Sequence, residues 1–211
     1  PTFGCTDEFL GLIAGGYGAI FKAVEGAEDS EELGIQDLKE NNFSSKDLFV
    51  GVAASGRTPY VIGGIKYAKE LGATTACVCC NINTKIGSLV DYPIEVNAGP
   101  EVLTGSTRLK SGTCQKIIIN MLSTTTMIGL GKVYKNLMVD VLATNEKLVE
   151  RCRNIVMNAT GCDYSKADEA LKITNNQCKE AIVMIELGVG HEEAKEKLAK
   201  AKGWVRRALE L

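Results

Sequence analysis

Short apolar runs alternate with a helical pattern in the first half of the chain. Runs of strand length cover residues 48–54 (LFVGVAA) and 72–82 (GATTACVCCNI), and a weaker one covers residues 92–97 (YPIEVN). Between the first two lies a helical pattern over residues 59–71, with Pro59 suited to its first turn. This order predicts a parallel α/β sheet with right-handed crossovers, whose first strand is buried on both faces.

The second half of the chain has a helical pattern. Residues 113–130 and 132–143 are apolar nearly all round, which predicts helices buried on more than one side, and a subunit interface would supply such a covering surface. From about residue 146 the predicted helices are polar and amphipathic, at 146–159, 165–172, 176–186, 191–201 and 204–210. We therefore expect two domains, residues 1–158 and a small appendage of three helices within residues 159–211.

Composition narrows the class of protein. The chain has 211 residues, 45% of them apolar and 24% charged, which permits a packed core. Its net charge of −2 argues against a nonspecific nucleic-acid binder, since such proteins have a basic excess. The sequence contains no run of about 18 uncharged apolar residues, and its opening lacks the basic segment of a signal peptide. We therefore expect neither a nucleic-acid partner nor a membrane segment.

The eight cysteines favour a reducing, cytoplasmic setting. Cys77, Cys79 and Cys80 lie in one apolar run, where a thiol behaves as a small hydrophobic side chain. No second ligand pair has the spacing of a zinc site, and His191 has no second histidine four residues further on. We therefore predict free thiols and no metal.

The stretch ASGRTP, residues 54–59, is the sharpest local feature. It lies between a predicted strand and a helix start, where ligands of open α/β sheets bind. The free N–H groups of a helix start suit a phosphate, Ser55 and Thr58 add hydroxyl groups, and Gly56 permits close backbone approach. The alternative is a tight turn in which the two hydroxyl groups only cap the helix.

A second candidate is GPEVLTGSTRLKSGT, residues 99–113, a stretch rich in glycines and hydroxyl groups that precedes the long apolar helix. A binding loop before a helix N-terminus is one interpretation. Another is a plain capped loop. In a third, Glu101 forms an ion pair with Arg108 or Lys110.

A third candidate is AVEGAED, residues 23–29, where Glu25, Glu28 and Asp29 lie within five residues. From the residues alone, a solvated acidic turn is the favoured interpretation. A buried member of the group would instead have a raised pKa and serve as a general acid or base.

Several long motifs match a known family. The stretches AVEGAEDS, VGVAASGRTPYVIGG, GPEVLTGSTRLKSGTCQK and GKVYKNLMVDVLATNEKL, together with PTFG, LIAGG and NATGC, resemble the N-acetylmuramic acid 6-phosphate etherase family. These proteins belong to the sugar isomerase (SIS) group of phosphosugar-binding domains, and the resemblance covers essentially the whole chain. It implies a parallel five-stranded α/β sheet in a three-layer sandwich that forms a homodimer, followed by a helical appendage.

The resemblance also implies the chemistry. Lyases of this family convert N-acetylmuramate 6-phosphate and water into N-acetylglucosamine 6-phosphate and D-lactate, in peptidoglycan recycling, without a metal or nucleotide cofactor. The ring opens, a base removes the proton at C2, lactate leaves C3 by β-elimination, and water adds to the unsaturated aldehyde. Such proton transfers require positioned carboxyl groups.

Motif positions imply the site residues. Glu28 in EGAED matches one of the family's two catalytic glutamates, with Glu25 as the alternative within the motif, and this match outweighs the solvated-turn interpretation. The implied substrate-binding residues are those of the two polar loops: Ser55, Gly56, Thr58, Glu101, Ser106, Thr107 and Lys110.

The chain departs from the family pattern at its start. The family's other catalytic glutamate and its first phosphate loop lie before the PTFG stretch, which here begins at Pro1, so we expect this chain alone to leave the active site incomplete. A smaller departure is Lys135, where the family usually has glycine.

The alternative function is a sugar-phosphate-binding regulatory protein related to glucokinase regulatory protein, without catalysis. The EGAED and GSTRLK motifs favour the enzyme.

Overall fold

A computed structural model describes residues 3–4 and 8–211. The described residues divide into two compact units, Leu10–Met121 and residues 3–4 and 8–9 with Leu122–Leu211. Cys5 and the first two residues of the PTFG stretch lie outside the described residues. The predicted domain boundary after residue 158 stays a prediction.

A parallel sheet lies at the centre of the Leu10–Met121 unit. Its strands are β1 (Leu48–Ala53), β2 (Thr74–Cys79) and β3 (Tyr92–Glu95), in the order β1-β2-β3, with Val50 beside Ala76. The predicted α/β fold with a parallel sheet is thus confirmed. Of the five strands that the resemblance implies, the described residues place these three in the sheet.

Two crossing helices lie beside this sheet. Helix α2 (Pro59–Glu70) packs on β1 and β2, and α1 (Glu31–Glu40) packs on α2. Ser30 caps α1 by accepting a hydrogen bond from a backbone N–H of its first turn. The helices approach so closely that a Cβ at Gly63 would overlap the backbone of Glu31, so this crossing requires glycine.

Burial differs between neighbouring strands. The central strand β2 is buried beyond Thr74, and its Cys77 and Cys79 pack against the apolar side of α2. By contrast, the β1 side chains Leu48 and Val52 are 58% and 39% exposed. The prediction that β1 is buried on both faces is therefore wrong. An apolar run identifies a strand, but its burial depends on which elements cover each face.

Helix α3 (Lys110–Gly129) forms where the first apolar segment predicts a helix, but it is not buried on more than one side. Most of its large apolar side chains are exposed, Met121 by 62%, whereas Met127 is buried. The single chain therefore does not supply the expected covering surface, and its supply by a subunit interface stays a prediction. The exposure leaves an apolar helix face that a further surface must cover in order to remove it from water.

Residues 132–143 do not form the predicted helix. They contain an antiparallel pair of short strands, β4 (Val133–Tyr134) and β5 (Leu137–Met138). The two-residue connection begins at Lys135 with φ of 55°, the left-handed conformation that tight hairpin turns require. The left-handed backbone at Lys135 explains why the family usually has glycine there. Because the chain turns at this point, the apolar segment forms a hairpin and not a helix.

Five C-terminal helices lie close to their predicted positions. They are α4 (Glu146–Thr160), α5 (Tyr164–Ile173), α6 (Cys178–Leu187), α7 (His191–Lys200) and α8 (Val205–Leu209). Four rather than three of them follow residue 160. Asn145 and Asp163 cap α4 and α5 through their side chains. The core they share includes Cys152, Val156, Ala167, Ala181, Ile182, Val183 and Ala194.

The cysteines in the described residues are free thiols, as predicted. Burial raises the pKa of Cys79 to about 12, which makes its thiol a poor nucleophile. Within residues 3–4 and 8–211, no helix is both long enough and apolar enough to cross a bilayer.

Candidate active site

The β1–α2 loop, residues 54–58, lies at the carboxyl end of the parallel sheet. Two of its carbonyl groups are bonded by the β2–β3 connection, residues 80–91. The Ala54 oxygen accepts a hydrogen bond from Cys80 N at 3.0 Å, and the Gly56 oxygen accepts one from Ile86 N at 2.9 Å. The neighbouring strand connection therefore occupies two acceptors of this loop and none of its backbone donors.

Among the described residues, three backbone donors of the β1–α2 loop have no protein acceptor, whereas Gly56 N donates to Ala53 O at 3.2 Å. In the part of the chain that the structure describes, the backbone N–H groups of Ser55, Arg57 and Thr58 are unpaired. Thr58 is the N-cap residue of α2, yet its hydroxyl group makes no capping hydrogen bond. The capping alternative is therefore wrong for Thr58. Unpaired N–H groups at the start of a helix, with a hydroxyl group beside them, suit a phosphoryl group.

Gly56 allows the β1–α2 loop to touch the β2–β3 connection. Its φ of 68° is left-handed, and a Cβ there would overlap the side chain of Thr84. The sequence interpretation of Gly56 as a site of close backbone approach thus matches its geometry, although the neighbour in the structure is Thr84.

Thr84 and Glu95 are site neighbours that sequence reasoning missed. The Glu95 carboxylate accepts hydrogen bonds from Asn83 N at 2.9 Å, Thr84 N at 2.8 Å and Thr84 Oγ1 at 2.6 Å. These bonds, the Thr84 hydroxyl first, lower the pKa of Glu95. The sequence did contain a signal for Glu95, because this charged residue lies near the carboxyl end of the third predicted strand, at the end of the sheet where ligands bind.

Glu101 holds the start of α3. Its two carboxylate oxygens accept hydrogen bonds from Lys110 N and Ser111 N, each at 3.0 Å, and these backbone donors lower the pKa of Glu101. The carboxylate thus caps the helix, as the capped-loop interpretation expects, and among the described residues it forms no ion pair with Arg108 or Lys110. The Cys80 thiol donates to Ser111 O at 3.4 Å, so Cys80 bonds both this helix start and the β1–α2 loop.

The other predicted residues of the β3–α3 loop, residues 99–109, and the adjoining Lys110 are exposed or half-buried. Thr107 and Lys110 are exposed and Ser106 is half-buried. In the described residues the Ser106 and Thr107 side chains make no hydrogen bond. Their assignment to substrate binding stays a prediction.

Glu28 lies in a short 3₁₀ turn, Ala27–Asp29, and its side chain is exposed. The chain continues into α1, where Glu31 forms an ion pair with Lys66, about two helical turns along α2 from Pro59. Within the described residues no hydrogen bond or ion pair joins Glu28 to the β1–α2 loop. Its catalytic role therefore stays a prediction.

Other carboxylates near Glu28 differ in their surroundings. Glu25, the alternative within the motif, is exposed and lines a cavity of about 550 Å³ together with Asp37. The Asp37 carboxylate accepts a hydrogen bond from Tyr60 Oη, and burial raises the pKa of Tyr60. Across residues 3–4 and 8–211, no group of three or more His, Cys, Asp or Glu side chains is placed to hold a metal ion.

The fold and the β1–α2 loop define an SIS-type phosphosugar-binding class. A family model described as the glucokinase regulatory protein N-terminal SIS domain matches residues 3–69. This match covers the first part of the chain, including β1, the β1–α2 loop and most of α2.

Curated relatives narrow the class to one family. The chain is 56% identical over 210 residues to an N-acetylmuramic acid 6-phosphate etherase of Exiguobacterium sp., which covers 99% of this chain and 71% of that protein. A Geobacillus sp. protein of the same name is 55% identical over 211 residues, covering 100% of this chain and 72% of the relative. A Bacillus mycoides protein of that name is 56% identical, with 99% and 71% covered. The chain belongs to the N-acetylmuramic acid 6-phosphate etherase family.

Proposed function

We propose that this chain is a carbon–oxygen lyase that converts N-acetylmuramate 6-phosphate and water into N-acetylglucosamine 6-phosphate and D-lactate, in the recycling of cell-wall sugars. The observation that supports it is the identity of 55–56% over nearly the whole chain with proteins named for this substrate. The motifs that contain the candidate residues lie inside the matched region.

The β1–α2 loop binds the phosphoryl group in this proposal. Its unpaired N–H groups and the Ser55 and Thr58 hydroxyl groups supply donors, and Gly56 lets the backbone approach the ligand. The N-terminus of α2 favours the negative charge of the phosphoryl group. In the β3–α3 loop and at the start of α3, Ser106, Thr107 and Lys110 contact the sugar, while Glu101 fixes the helix start beside them.

Glu28 transfers a proton during elimination. Removing the C2 proton next to the C1 aldehyde requires a carboxylate within reach of that carbon, and the departing lactate oxygen requires a proton. A desolvated carboxylate is the stronger base, and Glu28 is exposed in the single chain. Covering by a second subunit would desolvate it.

A homodimer in the cytoplasm completes the proposal. Helix α3 exposes Ile117, Ile119 and Met121, which a second copy of the chain would bury. A site shared between two copies would also bring Glu28 of one copy to the β1–α2 loop of the other. The free thiols fit a reducing compartment.

Lactate release from N-acetylmuramate 6-phosphate tests the proposed reaction. The chain is assayed alone and together with the part of the Exiguobacterium relative that the match leaves uncovered. Glu28→Gln should lower kcat roughly 100-fold or more, because a proton-transfer group is lost, while the Kd for the phosphosugar stays within about twofold. Glu25→Gln is the matched control within the same motif.

The outcomes separate the two functions. If Glu25→Gln abolishes turnover and Glu28→Gln does not, the role belongs to Glu25. Tight phosphosugar binding without lactate release in either preparation would favour the regulatory protein, the function suggested by the SIS-domain match over residues 3–69.

A further inference from the structure

The Glu95 carboxylate, at the end of β3, is hydrogen-bonded to the β2–β3 connection at Asn83 and Thr84. One carboxylate oxygen accepts from both the N–H and the hydroxyl group of Thr84, and the other accepts from Asn83 N. The approach is so close that a Cβ at Gly87 would overlap this carboxylate. Because hydrogen bonds to a charged group are the stronger kind, this contact fixes the position of Thr84.

Thr84 in turn contacts the β1–α2 loop at Gly56. Its hydroxyl group donates to Glu95 and accepts from Gly87 N at 2.8 Å, so its orientation is determined. The side chain is 8% exposed, and its Cβ and methyl group lie directly against Gly56. Two residues further on, Ile86 N bonds the Gly56 oxygen. The middle of the β1–α2 loop is thus held from the side by the segment that Glu95 fixes.

From these contacts we infer that Glu95 is a positioning residue for phosphosugar binding, acting through Thr84 to hold the β1–α2 loop in its binding conformation. The inference rests on the proposed function, in which this loop binds the phosphoryl group. Loop donors held in place before the ligand arrives bind it better, because less conformational freedom is lost on binding.

Asp91 provides a matched control at the other end of the same strands. Its carboxylate accepts from Thr75 N at 2.8 Å and Thr75 Oγ1 at 2.7 Å, nearly the geometry of Glu95 with Thr84. Thr75 lies near the start of β2, at the opposite end of that strand from the β1–α2 loop. Removing Asp91 breaks its threonine contact and an ion pair with Lys69. Removing Glu95 breaks its threonine contact and the bond from Asn83 N. Only Glu95 is bonded to the segment that touches Gly56.

Binding of N-acetylmuramate 6-phosphate by Glu95→Ala, Glu95→Gln and Asp91→Ala tests the inference, in the same two preparations used for lactate release. Glu95→Ala should raise Kd and KM by roughly tenfold with kcat changed less, because the loop loses its support. Glu95→Gln should fall between wild type and Glu95→Ala, since its amide oxygen still accepts from Thr84. Asp91→Ala should leave Kd within about twofold even if it lowers Tm.

Hydrogen exchange of the Ile86 amide gives a readout without ligand. It should accelerate in Glu95→Ala and not in Asp91→Ala, since its bond to Gly56 depends on the same segment. An unchanged Kd in Glu95→Ala, or an equal rise in both alanine variants, overturns the inference and leaves the proposed function intact. If wild type binds no phosphosugar in either preparation, the proposed function fails and the inference fails with it.

Discussion

The C-terminal helices and the sheet unit bury their apolar side chains differently. In the helices α4–α8, Cys152, Val156 and Ile182 are completely enclosed by neighbouring helices. In the Leu10–Met121 unit, large apolar side chains such as Phe21, 77% exposed, remain on the surface. The helices cover one another, whereas the sheet unit has apolar surface for a further partner to cover. An apolar pattern therefore predicts the face to be buried, but the burial itself depends on the neighbour.

The largest expected effect is in the core of the C-terminal helices. Ile182→Ala should lower the free energy of unfolding by about 2–5 kcal/mol, because it removes a fully buried side chain and leaves a cavity. Urea unfolding followed by circular dichroism measures the change. A loss below about 1 kcal/mol would contradict the complete enclosure of Ile182 by the neighbouring helices.

Helix capping gives the next largest difference between the two regions. Asn145→Ala should cost about 1 kcal/mol, since the Asn145 side chain accepts a hydrogen bond from Leu148 N at 3.0 Å. Thr58→Ala, at the N-cap of α2, should cost clearly less, because its hydroxyl group makes no capping bond. Equal losses in unfolding free energy would contradict the assignment of the Thr58 hydroxyl to ligand binding.

Exposed apolar residues should have small effects on the stability of the single chain. Ile119 in α3 is 43% exposed, so Ile119→Ala should change the unfolding free energy by no more than about 0.5 kcal/mol. Ile119→Asp should nevertheless weaken self-association, measured by sedimentation, if a second copy covers this face. A loss as large as that of Ile182→Ala would show that α3 is already covered.

The smallest effects concern acid pH. Hydrogen bonds from Lys172 and Arg153 lower the pKa of Asp168 in the C-terminal helices, and those from Thr84 lower the pKa of Glu95. Each folded pKa lies below the unfolded value, so the stabilisation is present above the ordinary pKa near 4 and is lost as pH falls through the folded pKa.

Substituting either carboxyl group tests these assignments, because it should make the unfolding free energy depend less on pH in the acid range. Asp168→Asn should reduce the fall in unfolding free energy between about pH 5 and pH 2, measured by urea unfolding at each pH. Glu95→Gln should reduce the same fall. An unchanged pH dependence in both variants would contradict the ionised hydrogen bonds described here.

Local pattern explains which elements could be predicted. Helices α4–α8 were predicted within a few residues because their amphipathic period and caps, such as Asp163, are local signals. The helix predicted over residues 132–143 is wrong for a different local reason. The left-handed backbone at Lys135 turns the chain into a hairpin there. The exposure of α3 could not be read from its all-round apolar sequence, which does not specify the covering surface.

The amino-acid sequence by itself determined the α/β class, the position of the β1–α2 loop between a strand and a helix, and the family. These depend on local periodicity and on motifs within single segments. Only the tertiary structure decided that Thr58 leaves its helix uncapped, that Glu101 caps α3, and that Glu95 supports the loop through Thr84. The Glu101 and Glu95 contacts join residues nine and eleven positions apart across irregular loops, whose paths a periodic pattern does not specify.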